Sequence, residues 1–371
     1  MKKRIFIALL VIIFAFSGCA DPPADVTWNE EEAAASSLVP AGDIVSLKDT
    51  TYGYEVFRRQ AEQLKEKYTD IVSLYSIGQS VYGREILCLV LGNAQAENKL
   101  LLAGAIQGTQ YWTTQLLMKQ IETYCENLSE AYEGVSYREI FQNCAVYFVP
   151  MVNPDGVEIC FNGLKSVPQT YQAQIEEIYE YSLQVGLLTK ETGYKHWKAN
   201  GQGIDIGINF GVGTVESAAI QKQAASENYP GEPLCTPEAA AIARLCEEQN
   251  FSAAAVYTEE GNLIDWAFGQ KESFKESERY ADALAELTGY TKIANGPTPE
   301  VCTSVSLTGW FISQFDKPAF AILMGKNSEQ LSLSKIWSEN CLVPILLAWQ
   351  LQQQEIEKPV QTPTAEYNEI E

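Results

Sequence analysis

A single histidine, His196, occurs in 371 residues, and this limits the chemistry the chain can run. A serine or cysteine nucleophile needs a positioned base, and one histidine at the end of a polar stretch does not point to a Ser-His-Asp triad. Gly-x-Ser-x-Gly is absent, and the nine cysteines form no Cys-x-x-Cys pair that would suggest a zinc ribbon or a redox motif. The 48 acidic residues offer too many carboxylate pairs for spacing to single one out. More informative are polar residues that close apolar, strand-like runs. Gln107 and Gln110 follow KLLLAGAI, Asn153-Pro154-Asp155-Gly156 follows CAVYFVPMV, and Thr258, Glu259 and Glu260 follow AAAVY. Lys198 and Asn209 stand in WKANGQGIDIGINF. A Lys of this kind is expected to be solvated, with an anionic peptide group as its alternative partner. Asn and Asp in such loops commonly tie the backbone down through their side chains.

The elements that must position these residues alternate. TYGYEVFRRQAEQLKEKYTD has helical spacing, and IVSLYSIG and REILCLVLG read as strands joined by the turn SVYG. A buried strand (KLLLAGA), a helix (WTTQLLMKQIETYCENL) and another buried strand (CAVYFV) follow. Residues 163–196 read as a polar helical insertion. Next come a helix leading into a strand (ARLCEEQNFSAAAVYT), a late buried strand (PAFAILMG) and one final helix (SKIWSENCLVPILLAWQLQQQ). Strands alternating with helices predict a single α/β domain over residues 51–355, its sheet covered on both faces. Cys88 and Cys144 fall inside apolar strands, where cysteine acts as a small hydrophobe. Disulfide pairing is not readable from the spacing.

At the N-terminus Lys2, Lys3 and Arg4 precede the apolar run IFIALLVIIFAF, which ends at Phe16-Ser17-Gly18-Cys19. This resembles a bacterial lipoprotein signal: residues 1–18 would be removed and Cys19 lipidated. The expected location is therefore extracytoplasmic, anchored by lipid to the bacterial cell membrane. Residues 19–50, rich in Asp, Glu, Ala, Ser and Pro, read as a flexible tether. Residues 356–371 read as a disordered acidic tail. The net charge of −22 argues against nucleic acid and against electrostatic adhesion to anionic lipid.

Taken in order, LAGAIQGTQYWTT, VPMVNPDGVE, WKANGQGIDIGINF and the opening Gly78-x-Ser80-x-x-Gly83-Arg84 resemble the zinc carboxypeptidase family of the carboxypeptidase A type. The likeness is greatest to the bacterial branch that trims peptidoglycan stem peptides, and it spans about residues 52–350. It implies a mixed, mostly buried central sheet flanked by helices on both faces, and a zinc-dependent peptidase. The residues that would carry that chemistry are replaced. Where the family has the ligands of His-x-x-Glu, this chain has Gln107 and Gln110; where the second His stands, it has Thr258. The catalytic Glu position is Leu323. The Asn-Arg pair that holds a substrate carboxylate corresponds to Gly207-Ile208, and the substrate-capping Tyr falls at Val301. His196 matches no ligand.

A neutral amide is a poor zinc ligand and a neutral hydroxyl a worse one. One carboxylate from Glu259 or Glu260 beside two amides would better suit calcium, which wants six or more oxygens. The sequence therefore leads to the expectation of a membrane-tethered, zinc-free pseudopeptidase with no cofactor and no catalytic residue. Gln107, Gln110, Lys198, Asn209 and Thr258 are its candidate cleft residues, and Leu323 also lines the former metal site. A peptide or a peptidoglycan stem peptide is the expected partner, and a monomer is expected. The alternatives are an active metallocarboxypeptidase, as the resemblance implies, and a structural cell-surface protein.

Overall fold

Cys144–Val149 is buried at all six positions and Glu85–Leu91 at all but its first, so both faces of the sheet must be covered by other elements. The computed structural model describes residues 25–357, except residues 50, 212–221, 226–228, 260, 267–272, 294–305 and 326–329. Cys19, Cys302, Val301 and Glu260, the signal segment 1–18 and residues 358–371 of the acidic tail lie outside the described residues.

The central sheet has eight strands: β1 (Val72–Gln79), β2 (Glu85–Leu91), β3 (Asn98–Ala103), β4 (Cys144–Val149), β5 (Ala253–Glu259), β6 (Leu263–Asp265), β7 (Thr291–Ile293) and β8 (Ala319–Met324). Their order is β7-β6-β8-β5-β3-β4-β2-β1. The middle four, β8, β5, β3 and β4, run parallel. β2 joins β4 antiparallel and β1 joins β2 antiparallel through the SVYG turn. On the other side β6 runs antiparallel to β8. The sheet is mixed and helices lie on both faces, as the resemblance implied.

Side chains alternate between two cores. Leu100, Leu102, Val146 and Phe148 point into one, while Leu101, Ala103, Ala145 and Tyr147 point into the other. The parallel register brings the C-terminal ends of β3, β4, β5 and β8 to one edge. Gln107, Asn153 and Thr258 are delivered there, the edge at which open α/β sheets bind ligands. Cys88 and Cys144 are fully buried in the strands, and the described cysteines form no disulfide.

Two expectations need correction. Residues 25–49 are not a flexible tether. Asp25–Thr27 pairs parallel with Gln330–Ser332, and Glu30–Ala34 is helical, with Asn29 Oδ1 accepting from the backbone N–H groups of Glu31 and Glu32 at 2.9 and 3.2 Å. Leu38, Val45 and Leu47 are buried. Composition hid this, because a few apolar residues among many Glu, Ala and Ser suffice when the partner groove is specific. That groove centres on helix Tyr111–Glu126. Buried Glu122 accepts from the N–H of Ile44 at 2.7 Å and of Val45 at 3.0 Å. Buried Lys119 bonds Glu122 at 2.9 Å and donates to the Gly42 carbonyl at 3.0 Å. Residues 25–49 therefore belong to the domain, which was expected to begin at residue 51.

The final helix is also two helices, Leu333–Asn340 and Val343–Glu357. Pro344 has no N–H to donate and fits only the first turn of a helix, so the chain breaks before it. The second helix runs on to Glu357, slightly past the expected end of the domain.

Replacing Glu122 by Ala strands the Lys119 ammonium and two backbone donors in the interior. Glu122→Ala is expected to cost about 3–5 kcal/mol of stability, measured by urea denaturation. A loss under about 1 kcal/mol would mean that the segment is not held in this way.

Candidate functional site

The loop after β3 is wound tightly. Ala105 has a positive φ of 44°, and its N–H donates to Thr113 Oγ1 at 2.7 Å. The Thr113 hydroxyl donates to the Gln110 carbonyl at 2.8 Å. Gly108–Gln110 forms one 3-10 turn that runs directly into helix Tyr111–Glu126. The turn swings Gln107 and Gln110 to the same side, towards the end of β5. Gln110 Nε2 donates to Gln107 Oε1 at 3.1 Å and to Thr258 Oγ1 at 3.0 Å. The three positions singled out in the sequence thus meet in one hydrogen-bonded cluster, although Thr258 is 148 residues from Gln110.

Asn153 fastens the surrounding loops. It is fully buried. Its Nδ2 donates to the carbonyls of Ile106, Ala199 and Lys198 at 3.1, 3.2 and 3.3 Å, and its Oδ1 accepts from Gly156 N at 2.8 Å. The close approach explains two glycines. A Cβ on Gly108 would lie 2.4 Å from the Trp197 carbonyl oxygen, and one on Gly156 would lie 2.5 Å from that of Ala199. Asp155, the next residue, reaches the other way. Its carboxylate takes Arg84 Nη1 at 2.6 Å, Ser80 Oγ at 2.9 Å and Tyr82 N at 2.8 Å. The Gly-x-Ser-x-x-Gly-Arg and Asn-Pro-Asp-Gly motifs are therefore one structural lock.

Glu238, which the sequence reading missed, sits beside this lock. It is fully buried and accepts from Asn200 Nδ2 at 3.2 Å and Val81 N at 3.4 Å. Burial, reinforced by the Asp155 charge, pushes its carboxyl up to about 7. Burial also raises Asp155, against the pull of Arg84. Acidic residues at helix starts are common on the surface, so nothing in the sequence marked Glu238 as buried.

A cavity of about 120 Å³ opens over the amide cluster. Gln107, Gln110, Thr258, Ser306 and Thr308 give it polar groups; Ile106, Val256, Leu307, Ala321 and Gly207 complete the described lining. Of the Gly207-Ile208 pair, Gly207 is in this lining and Ile208 is not among the described lining residues. Leu323 pairs in register with Thr258, yet Ala321, two residues earlier, takes the place in the lining where Leu323 was expected.

Two other cleft candidates are corrected. Asn209 is buried and committed to its own loop: Nδ2 donates to the carbonyls of Pro230 and Glu232 at 2.6 and 2.7 Å, and Oδ1 accepts from Thr236 N and Oγ1 at 3.1 and 2.8 Å. Lys198 is not a solvated lysine. Its side chain is 19% exposed, and its ammonium lies 3.5 Å from Glu259 Oε1, which also accepts from Thr109 Oγ1 at 3.2 Å. His196 is exposed, and partial burial together with the Lys198 charge lowers its pKa.

This donor set does not fit zinc. Two neutral amides and a hydroxyl, hydrogen-bonded to one another, stand at the three matching positions, and none supplies the imidazole or carboxylate lone pair that zinc prefers. Glu259, the available carboxylate, is held by Lys198 and Thr109. Among the described residues no three His, Cys, Asp or Glu side chains are grouped to hold a metal ion.

The raised Glu238 carboxyl has a stability consequence. Between its ordinary 4.5 and about 7, the folded protein keeps a proton that the unfolded chain has released, so stability falls as pH rises through this window. Glu238→Gln removes the titration. From pH 5 to pH 8, urea denaturation should show wild type losing a few kcal/mol relative to the variant. Parallel pH profiles would refute the assignment.

Comparison with known proteins agrees with this architecture. A sequence model of the family described as zinc carboxypeptidase matches residues 58–308. The chain is 25% identical over 288 residues to gamma-D-glutamyl-L-diamino acid endopeptidase 1 of Lysinibacillus sphaericus, covering 76% of this chain and 68% of that one. It is 27% identical over 264 residues to the uncharacterized protein YqgT of Bacillus subtilis, covering 70% of this chain and 66% of that one. The chain thus spans about two thirds of the length of these relatives. Among solved structures, thrombin activatable fibrinolysis inhibitor superposes with a TM-score of 0.64 at 14% identity, over 81% of this chain and 73% of the other; this is a likeness of fold. The chain belongs to the zinc carboxypeptidase family.

Proposed function

We propose that this protein is a zinc-free pseudopeptidase that binds a peptide of the cell wall without cutting it. The observation that carries the reading is the Gln110 amide bridging Gln107 and Thr258. The ligand positions still converge, but they present two neutral amides and a hydroxyl bonded to one another, where zinc wants imidazole or carboxylate lone pairs. The Leu323 position offers no general base, and Gly207-Ile208 offers no guanidinium for a substrate carboxylate. What the cleft retains is hydrogen-bonding capacity beside an apolar wall, which suits binding. The peptide class is drawn from the relative named gamma-D-glutamyl-L-diamino acid endopeptidase.

The N-terminal sequence supports a reading of where the protein sits. We propose that Cys19 carries a lipid and holds the domain on the outer face of the cell membrane. The basic residues, the apolar run and Phe-Ser-Gly-Cys support this.

Because the backbone geometry is kept, restoring the ligands should restore the metal. The triple variant Gln107→His, Gln110→Glu, Thr258→His is expected to bind zinc stoichiometrically and at least a hundredfold more tightly than wild type, about 2.7 kcal/mol, read by competition with a chromogenic chelator. Equal zinc affinity in the two proteins would remove the basis of the proposal. Wild type incubated with zinc and γ-D-glutamyl-diamino acid peptides should release no product; chelator-sensitive turnover would establish an active peptidase instead.

For the anchor, Cys19→Ser should abolish incorporation of labelled fatty acid and shift the protein from the membrane fraction. Unchanged labelling and fractionation would refute lipidation at Cys19.

A further inference from the structure

We infer that the domain is mounted on the membrane by the edge of the sheet that carries the cleft, on a tether of only residues 19–24, so that the cleft serves peptides borne by lipids at the membrane surface. This deepens the anchor proposed above and rests on Cys19 carrying the lipid.

The tether is short because the segment after it is part of the fold. The chain from Cys19 to Asp25 spans at most about 20 Å. Were residues 25–49 loose, the same anchor would allow about 100 Å of reach. They are held at several points instead. Asp25–Thr27 pairs with Gln330–Ser332. The Asn29 N–H donates to Ser334 Oγ at 3.1 Å, and Glu32 Oε2 accepts from the hydroxyls of Ser332 and Ser334 at 3.1 and 2.7 Å. Trp337 Nε1 donates to the Leu38 carbonyl at 2.7 Å. Buried Glu122 takes the N–H groups of Ile44 and Val45.

The point of attachment lies at the edge of the sheet where the cleft opens. Leu331, the register partner of Val26, packs on Gly325, where a Cβ would lie 2.6 Å from Leu331 Cδ1. Gly325 follows Met324, the last residue of β8, and Leu323 pairs with Thr258 of the cavity lining. The Gly325 carbonyl also accepts from the Gly261 N–H, in the loop after β5, at 3.1 Å. The strand spacings and residue rises along this path place Thr258 within about 30 Å of Asp25. With the tether added, Thr258 stays within about 50 Å of the lipid headgroups. The opposite ends of the parallel strands, where exposed Glu97 precedes β3, lie farther from the attachment.

Charge separates mounting from adhesion. Glu30 and Glu31, close to the attachment, are exposed, and the chain carries a net charge of −22. An anionic bilayer repels such a surface, so the domain stands at the length of its tether rather than lying among the headgroups. A peptide carried by a membrane lipid meets the cleft across that gap. One fixed more than about 50 Å from the headgroups is out of reach.

The test uses the lipidated full chain in vesicles of phosphatidylcholine and phosphatidylglycerol that carry an acceptor dye on a headgroup. A donor dye is attached through an unnatural amino acid at position 208, beside Gly207 of the lining, or at position 97. Energy transfer from position 208 is expected to be at least twofold that from position 97. Inserting about thirty Gly and Ser residues after Pro23 adds about 30 Å of reach and is expected to lower both at least twofold. Equal or greater transfer from position 97, or transfer unchanged by the insertion, overturns the inference. The insertion lies outside the domain, and position 97 alone reads its effect if the label at 208 disturbs the fold. Mass spectrometry of the same sample keeps the two readings apart. A chain without lipid on Cys19 would defeat the anchor, whereas a lipidated chain that fails the transfer test would defeat this inference alone.

Discussion

The arrangement around the site depends on one buried side chain amide. Asn153 ties the loop after β3, the loop after β4 and the segment 197–200 together through backbone carbonyls and an N–H. An amide is suited to this because it carries donors and acceptors at fixed positions on a short stem. Losing it would take a side-chain partner from the Ile106 and Ala199 carbonyls and from the Gly156 N–H at once. Gly108 and Gly156 are small because the backbones it draws together are nearly in contact. Asp155, one residue on, extends the same lock to Arg84 and the β1–β2 turn. None of these bonds requires a metal.

That independence means that the shape of the cleft does not rest on a metal. In a site whose geometry was set by the cation, removing ligands would leave the loops without a constraint. Here the loops are fixed from behind by Asn153 and Asp155, so the positions of Gln107, Gln110 and Thr258 stay convergent whatever occupies them. Two amides and a hydroxyl then settle into the hydrogen bonds that those positions allow. Gln110 Oε1 is left without a hydrogen-bond partner among the described residues.

Much of this was legible in the sequence, and the failures share a cause. The buried strands β3 and β4 and the Gly-Arg and Asn-Pro-Asp-Gly turns leave local signatures, whereas the meeting of Gln107 and Gln110 with Thr258 was implied only by the family resemblance. The short outer strands β6 and β7 carry three residues each and leave almost none. Residues 25–49 looked like a tether because composition averages away Leu38, Val45 and Leu47, whose burial depends on a groove that only the folded helix Tyr111–Glu126 presents. Asn209 looked like a cleft residue because sequence order placed it near the site. Its direction, into its own loop, is set by partners at Pro230 and Thr236. Lys198 looked solvated because its partner, Glu259, is 61 residues away. Tertiary pairing of this kind is invisible to spacing.

The account turns on whether a peptidase scaffold with an amide in its metal site still binds zinc. The most direct measurement is a calorimetric titration of zinc into the purified, metal-stripped domain at neutral pH. The expected result is no saturable heat at micromolar zinc, with the glutamine side-chain resonances unmoved. A one-to-one isotherm at micromolar or tighter affinity, with those resonances shifting, would contradict it.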